Sequence, residues 1–407
     1  MQISDRRNNL DTITLKNKIL LSFFTLMLLT GIIGYKSYTQ ISPLFDIALQ
    51  KQTENNQITF TTTESEFTNS LYNKVDFINM NGRMAKLLNM RGYYSDKGVY
   101  LNNEGYIVSA YPYTTTDYEY YEILAFKEFL DTNGVSLLYV NEPIKYLDDA
   151  EFTNEFGIES FSNRNADLLL NRLRDAGINA IDIREDISGE GKDIHDLFYR
   201  TDHHWTVPSG LWATQIIAKG LNESCGYDIN LSIYDPQNYS FTTFENRWLG
   251  EQGNLLAETY VGLDDFTEIK PTFTTDYTFK DRYGNIYKEG TFKDFIMEDM
   301  YDPDNEEYTG ASLHYSYLRM NCINNNVSHG KVLLICDSYA HATEAFLSLG
   351  VHELDSIILR DQDENFSIRN YILQNSYDTV IIAYAQSMIG AHDNPESENY
   401  SMFSLDK

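Results

Sequence analysis

Five short apolar runs, at residues 135–140, 178–183, 331–336, 355–359 and 379–384, constrain this chain more than any other feature. Each has the length of a strand and is apolar nearly throughout, so both of its faces must be buried. Between them lie helical patterns at 118–130, 165–175, about 342–349 and 366–374. The second of these carries Leu168, Leu169, Leu170 and Leu173 on one face, and Gly177 closes it. Buried strands alternating with amphipathic helices predict an α/β fold, a parallel sheet covered on both faces.

Two stretches depart from that alternation. Lys97 to Val108 places β-branched and aromatic residues around Asn102-Asn103-Glu104-Gly105, a hairpin pattern, and the folded domain is expected to begin just before it. From about 234 to 324 the chain turns into Thr-, Tyr- and Phe-rich pieces such as Tyr277-Thr278-Phe279 and Tyr283-Gly284-Asn285-Ile286-Tyr287, which predicts a β-rich insertion. A helix is predicted over 208–221, with Thr206 as N-cap and Pro208 in its first turn.

The N-terminus predicts a membrane anchor. Arg6, Arg7, Lys16 and Lys18 precede an uncharged run at residues 19–35, near the lower length for a helix that crosses a bilayer. The positive-inside rule then leaves 1–18 as a cytoplasmic tail and places the rest outside the membrane. A cleaved signal peptide starts in the same way, but Thr30-Gly31-Ile32 and Ile32-Ile33-Gly34 fit a small-x-small cleavage site poorly; a buried core helix is the third reading. Residues 36–85, rich in Gln, Thr, Asn and Ser, read as a stalk, and 86–407 as the extracytoplasmic domain.

A formal net charge of -29 repels phosphate backbones and argues against nucleic-acid binding. Cys225, Cys322 and Cys336 are odd in number and lack metal-type spacing. They allow at most one bridge, for which Cys225 and Cys322 are the candidates. So few cystines in a long exported domain suit a bacterial protein.

The chemistry-bearing stretch is Thr201-Asp202-His203-His204-Trp205-Thr206, followed about 130 residues later by Ile335-Cys336-Asp337-Ser338-Tyr339. An aspartate two residues before a histidine can orient and polarise the imidazole, and a serine just past an apolar strand can offer it a hydroxyl. His204 suits that part better than His203, which stands beside Asp202 and is expected to pack within the loop. In a parallel sheet the carboxyl ends of the strands carry the site, where Ser338 falls, and its own N–H opens the next helix. Asp202, His204 and Ser338 are therefore the expected catalytic residues.

Other chemistries fit less well. Asp-His-His invites a metal, but ligands adjacent in sequence rarely face one ion, and His392-Asp393 is the only companion. Cys336 ends an apolar strand, where a structural cysteine is the stronger reading than a nucleophile. No carboxylate pair stands out by context among 60 acidic residues.

Tyr199-Arg200-Thr201-Asp202-His203-His204-Trp205-Thr206 resembles the DHHW protein family, which is related to the SGNH-hydrolase-like proteins of alginate O-acetylation. In those the histidine block likewise precedes a Gly-Asp-Ser-aromatic block. The resemblance runs from about Lys97 to Tyr384 and includes Leu138-Tyr139-Val140-Asn141-Glu142-Pro143-Ile144-Lys145 as a strand followed by Pro-x-Lys. It implies a flavodoxin-like, three-layer α/β/α domain with Ser338 as nucleophile, His204 as acid and base, and Asp202 as its partner. Tyr339 would line the pocket, and Asn141 or Lys145 would contact substrate; Trp205, read from its place beside His204, either walls the site or belongs to the core. Cys336 stands where the family has glycine, which places turnover in question.

The expected protein is thus an anchored serine O-acetyltransferase or acetylesterase on the bacterial cell surface, acting on a neutral or amino-sugar glycan through an acetyl-serine. It needs no dissociable cofactor. Its acetyl donor would come from a membrane acetyltransferase partner. The competing reading is an inactive glycan-binding or scaffold protein on the same fold.

Overall fold

The computed structural model describes residues 23–28, 31–32, 35–36, 74–93, 98–281, 283–295, 321–363, 365–390 and 400–405. The chain divides into two compact units, Met1–Met84 and Ala85–Lys407. In the first, residues 23–28, 31–32 and 35 of the expected membrane span are helical, and the rest of 19–35 lies outside the described residues. Among the described residues no helix is long and apolar enough to cross a membrane. The expected stalk also lies largely outside them, and its last part is helical, within α1 (Lys74–Leu87).

Thirteen strands are described in the second unit: β1 (Gly92–Tyr93), β2 (Val99–Leu101), β3 (Ile107–Ser109), β4 (Ser136–Glu142), β5 (Asn179–Asp182), β6 (Tyr239–Trp248), β7 (Asp264–Pro271), β8 (Tyr277–Lys280), β9 (Ile286–Gly290), β10 (Asn321–Asn324), β11 (Lys331–Cys336), β12 (Glu353–Ile357) and β13 (Thr379–Ala385). The helices are α2 (Asp117–Thr132), α3 (Asp149–Phe156), α4 (Ser162–Asp175), α5 (Ile183–Glu190), α6 (Val207–Ser224), α7 (Glu251–Leu256), α8 (Glu258–Val261), α9 (Glu344–Leu347) and α10 (Ile368–Asn375).

The main sheet has the order β5-β4-β13-β11-β12-β10-β8-β9. Its first five strands are parallel, as the five apolar runs predict. Every residue of β12 and β13 is buried, as are all but the first of β4 and β11, so helices cover both faces. The last three strands come from the β-rich insertion and pair antiparallel. The sheet is therefore mixed where a parallel one was expected: the insertion does not stand apart but extends the sheet past β12. Its other part is the antiparallel ribbon of β6 and β7.

The predicted hairpin is present as β2 and β3, with Gly105 at φ 86 in the turn. The run 178–183 ends as strand at Asp182, whose side chain accepts the N–H of Arg184 and caps α5. All three cysteines are free: Cys322 is buried in β10, Cys225 caps the end of α6, and the candidate bridge is not formed.

Candidate active site

The site sits at the carboxyl ends of β4, β13 and β11, where Asp337 follows β11. One Asp337 oxygen accepts the N–H of Tyr339 at 2.9 Å and caps the turn Ser338–Ala342; the other accepts the N–H of Ala385 from β13 at 2.9 Å. One carboxylate thus ties the Ser338 turn, at the end of β11, to β13. Ser338 opens that turn, so its N–H has no acceptor within the helix.

The second half comes from the loop before α6. Arg200 and Thr201 are held there by Asp264, whose carboxylate takes both of their backbone N–H groups, the Arg200 Nε and the Thr201 hydroxyl. The N–H of Gly250 donates to the Thr201 hydroxyl, and that of Gly253 to the Thr201 carbonyl. A methyl on Gly250 would come within 2.3 Å of the Asp202 Cβ, so only glycine allows this approach. On the other side Thr206 caps α6, and Gly210 packs against the Ala342 carbonyl with no room for a Cβ.

These supports bring the three expected residues into hydrogen-bonding distance. His204 Nδ1 lies 2.7 Å from Asp202 Oδ1, and Nε2 lies 2.8 Å from Ser338 Oγ. Burial opposes ionisation of Asp202, but the charge and hydrogen bonds of His204, with His203 beyond, hold its carboxyl well below the ordinary range. An ionised carboxylate only accepts, which assigns the proton to Nδ1 and leaves Nε2 to accept from the serine hydroxyl. For His204 burial favours the neutral ring; Asp202, then Asp337 and Glu251, outweigh it and raise the imidazole above its ordinary value.

The other expected residues are placed unequally. Tyr339 and Trp205 line a recess of about 10 Å³ beside Ser338, and the indole N–H donates to the Tyr339 carbonyl. The Tyr339 hydroxyl donates to the His203 carbonyl, while the His203 ring packs on His204 with centroids 3.9 Å apart. Asn141 is fully buried and donates to Asp182, so it does not face the cleft as expected. Lys145 is buried too; its Nζ donates to the carbonyls of Ile107 and Arg200 at 2.8 and 3.1 Å, clipping the β2–β3 hairpin to the Asp202 loop, and the residue lines a small recess with His203 and Tyr339. Burial pulls its ammonium down to about 7 against the attraction of Asp202 and Asp264.

Two alternatives are answered by placement. The Cys336 Sγ is buried 3.8 Å from the Ile357 carbonyl of β12, and burial pushes its thiol well up. Asp202, His203 and His204 hold possible metal ligands within 4.8 Å, but both His204 nitrogens already meet Asp202 and Ser338. His392 and Asp393 lie outside the described residues.

Glu142 and Glu251 were not anticipated. Glu142, at the end of β4, is fully buried with no hydrogen bond to either oxygen among the described residues, and burial with nearby Asp337 raises it well above the usual range. Glu251 stands at the start of α7 in the wall of an open cleft of about 970 Å³ that Ser338, His203 and Arg360 share. Neither residue carries a local sequence signal, because their roles come from contacts across the fold.

Residues 114–295 match the family model of the SGNH hydrolase-like domain, acetyltransferase AlgX. That span includes Asp202 and His204 and ends before Ser338. Comparison with curated proteins finds no match. Among solved structures, Bacillus cereus PatB1 bearing a sulfonyl adduct is similar at 18% identity and TM-score 0.58, over 76% of this chain and 100% of that one. A DHHW family protein from Eubacterium siraeum is similar at 15% identity and TM-score 0.56, over 77% and 97%. At such identities the likeness is one of fold. Residues 114–295 are thus similar to the SGNH hydrolase-like domain of acetyltransferase AlgX, and the fold is similar to that of PatB1 and of a DHHW family protein.

Proposed function

We propose that this chain is a membrane-anchored, extracytoplasmic serine O-acetyltransferase or acetylesterase acting on a cell-surface or exported polysaccharide. The observation that carries it is the unbroken relay from Asp202 through His204 to Ser338, with spacings of 2.7 and 2.8 Å, open to a cleft.

In the first half, Ser338 Oγ attacks the carbonyl carbon of an acetyl ester while His204 Nε2 takes the hydroxyl proton. The donor oxygen leaves with that proton, and the acetyl group stays on Ser338. In the second half, a hydroxyl attacks the acetyl carbon, His204 takes its proton, and Ser338 Oγ departs and regains it. A sugar hydroxyl as acceptor gives transfer; water gives hydrolysis. The donor would be supplied by a membrane acetyltransferase partner.

The sulfonyl adduct on PatB1 suggests the test. The full chain, purified in detergent, is expected to turn over a chromogenic acetyl ester, to form an acetyl adduct on the Ser338 peptide in mass spectra, and to be blocked by a sulfonyl fluoride. Ser338→Ala should lower the rate at least about 10³-fold; an equal rate, or an adduct elsewhere, refutes the proposal. The anchor has its own check: the chain should remain with membranes after a high-salt wash, and its release without detergent would end that part.

A further inference from the structure

Beyond the cleft that holds Ser338 lies a second pocket of about 210 Å³, on the far side of Arg360. It is bounded by the turn after β12, the start of α10 and residues near Ser401. Arg360 and Ser401 line both spaces, so the two are compartments of one trough. The pocket is smaller than the roughly 300–1,000 Å³ of sites that hold drug-sized ligands. It suits a single ring.

Its lining has the mixture that a sugar ring asks for. A pyranose has an apolar C–H face and a rim of hydroxyls, which calls for one flat hydrophobic surface and several polar groups of both kinds. Phe366 offers the ring, half-buried and packed on Tyr371 with centroids 5.6 Å apart. Arg360 offers planar donors, Asp363 acceptors, and Ser401 and Ser404 hydroxyls. One cation set against one acid gives no strong preference for a charged ligand.

We propose that this pocket is a second sugar subsite, which receives a neighbouring unit of the same polysaccharide chain whose acetylated unit lies at Ser338. The proposal rests on the glycan reading above and goes further: substrate would be a polymer gripped across Arg360, with Phe366 as platform. Binding energy from that remote unit would then serve the reaction at Ser338.

The test uses the full chain carrying Ser338→Ala and two neutral ladders, cello-oligosaccharides and chito-oligosaccharides of one to six units, with affinity measured by calorimetry. Affinity should rise on the order of tenfold once a ring extends past the first unit. Phe366→Ala should flatten that rise, and so should Phe366→Leu, which keeps apolar bulk without the flat face if the alanine variant does not fold. With Ser338 intact, both variants should turn over the small chromogenic ester within about twofold of the parent. Affinity independent of length, a rise that survives both substitutions, or no binding on either ladder would overturn the subsite. An enzyme inert toward the ester but with an intact, Phe366-dependent ladder would overturn the acetyl chemistry and leave the subsite standing.

Discussion

Replacing Asp202 by asparagine would keep the shape of its loop and remove the charge that fixes the His204 tautomer. The amide can donate toward Nδ1, leaving the proton on Nε2, where the serine needs an acceptor. The expected loss in kcat is about 10⁴-fold. The pH profile supplies the sign. His204 must be neutral to act as base, and its imidazole is raised, so the acid limb of kcat/KM should lie above the ordinary value of about 6.5. Asp202, Asp337 and Glu251 hold it up, with the His203 ring tilted against it and Lys145, three residues past β4, near enough to Asp202 to feel its charge. Asp202→Asn should move that limb down; a wild-type limb below 6.5 that the variant leaves in place would contradict the relay. The residues of the relay were readable because their spacing sits within one loop and one strand end. Asn141 and Lys145 were readable as strand-end residues only, since their partners, Asp182 and the Arg200 and Ile107 carbonyls, depend on neighbours the sequence does not display.

Among the elements, the start of α7 and the Asp202 loop depend on the bare backbone of Gly250. Gly250→Ala would push a methyl to within 2.3 Å of the Asp202 Cβ and 2.6 Å of its Cα. Backbone must yield there, at a cost of about 1–3 kcal/mol typical of overpacking, and Asp202 moves off His204. Thermal unfolding should show the lower stability, and ester turnover should fall by more than that loss explains. Unchanged turnover in the folded variant would mean that the contact is packing alone. Helix periodicity found α2, α4, α6 and α10 to within a few residues, because an apolar stripe is a local pattern. It extended the strand of β5 by one residue at each end: Ile178 and Ile183 are apolar, but the strand runs Asn179–Asp182 and Asp182 already caps α5. Periodicity could not find α7, whose six residues are too few to carry a stripe.

At the scale of the whole molecule, the five parallel strands were legible and the destination of the insertion was not. A Thr- and Tyr-rich strand looks the same whether it forms a separate ribbon, as β6 and β7 do, or joins an existing edge, as β8, β9 and β10 do. The order of the parallel strands carries one more consequence. β13, the latest of the described strands, lies between β4 and β11, so it is the wedge that brings the Asp337 turn alongside Glu142. A nascent chain emerging from the ribosome thus carries the serine, the imidazole and the carboxylate before it carries the piece that seats them.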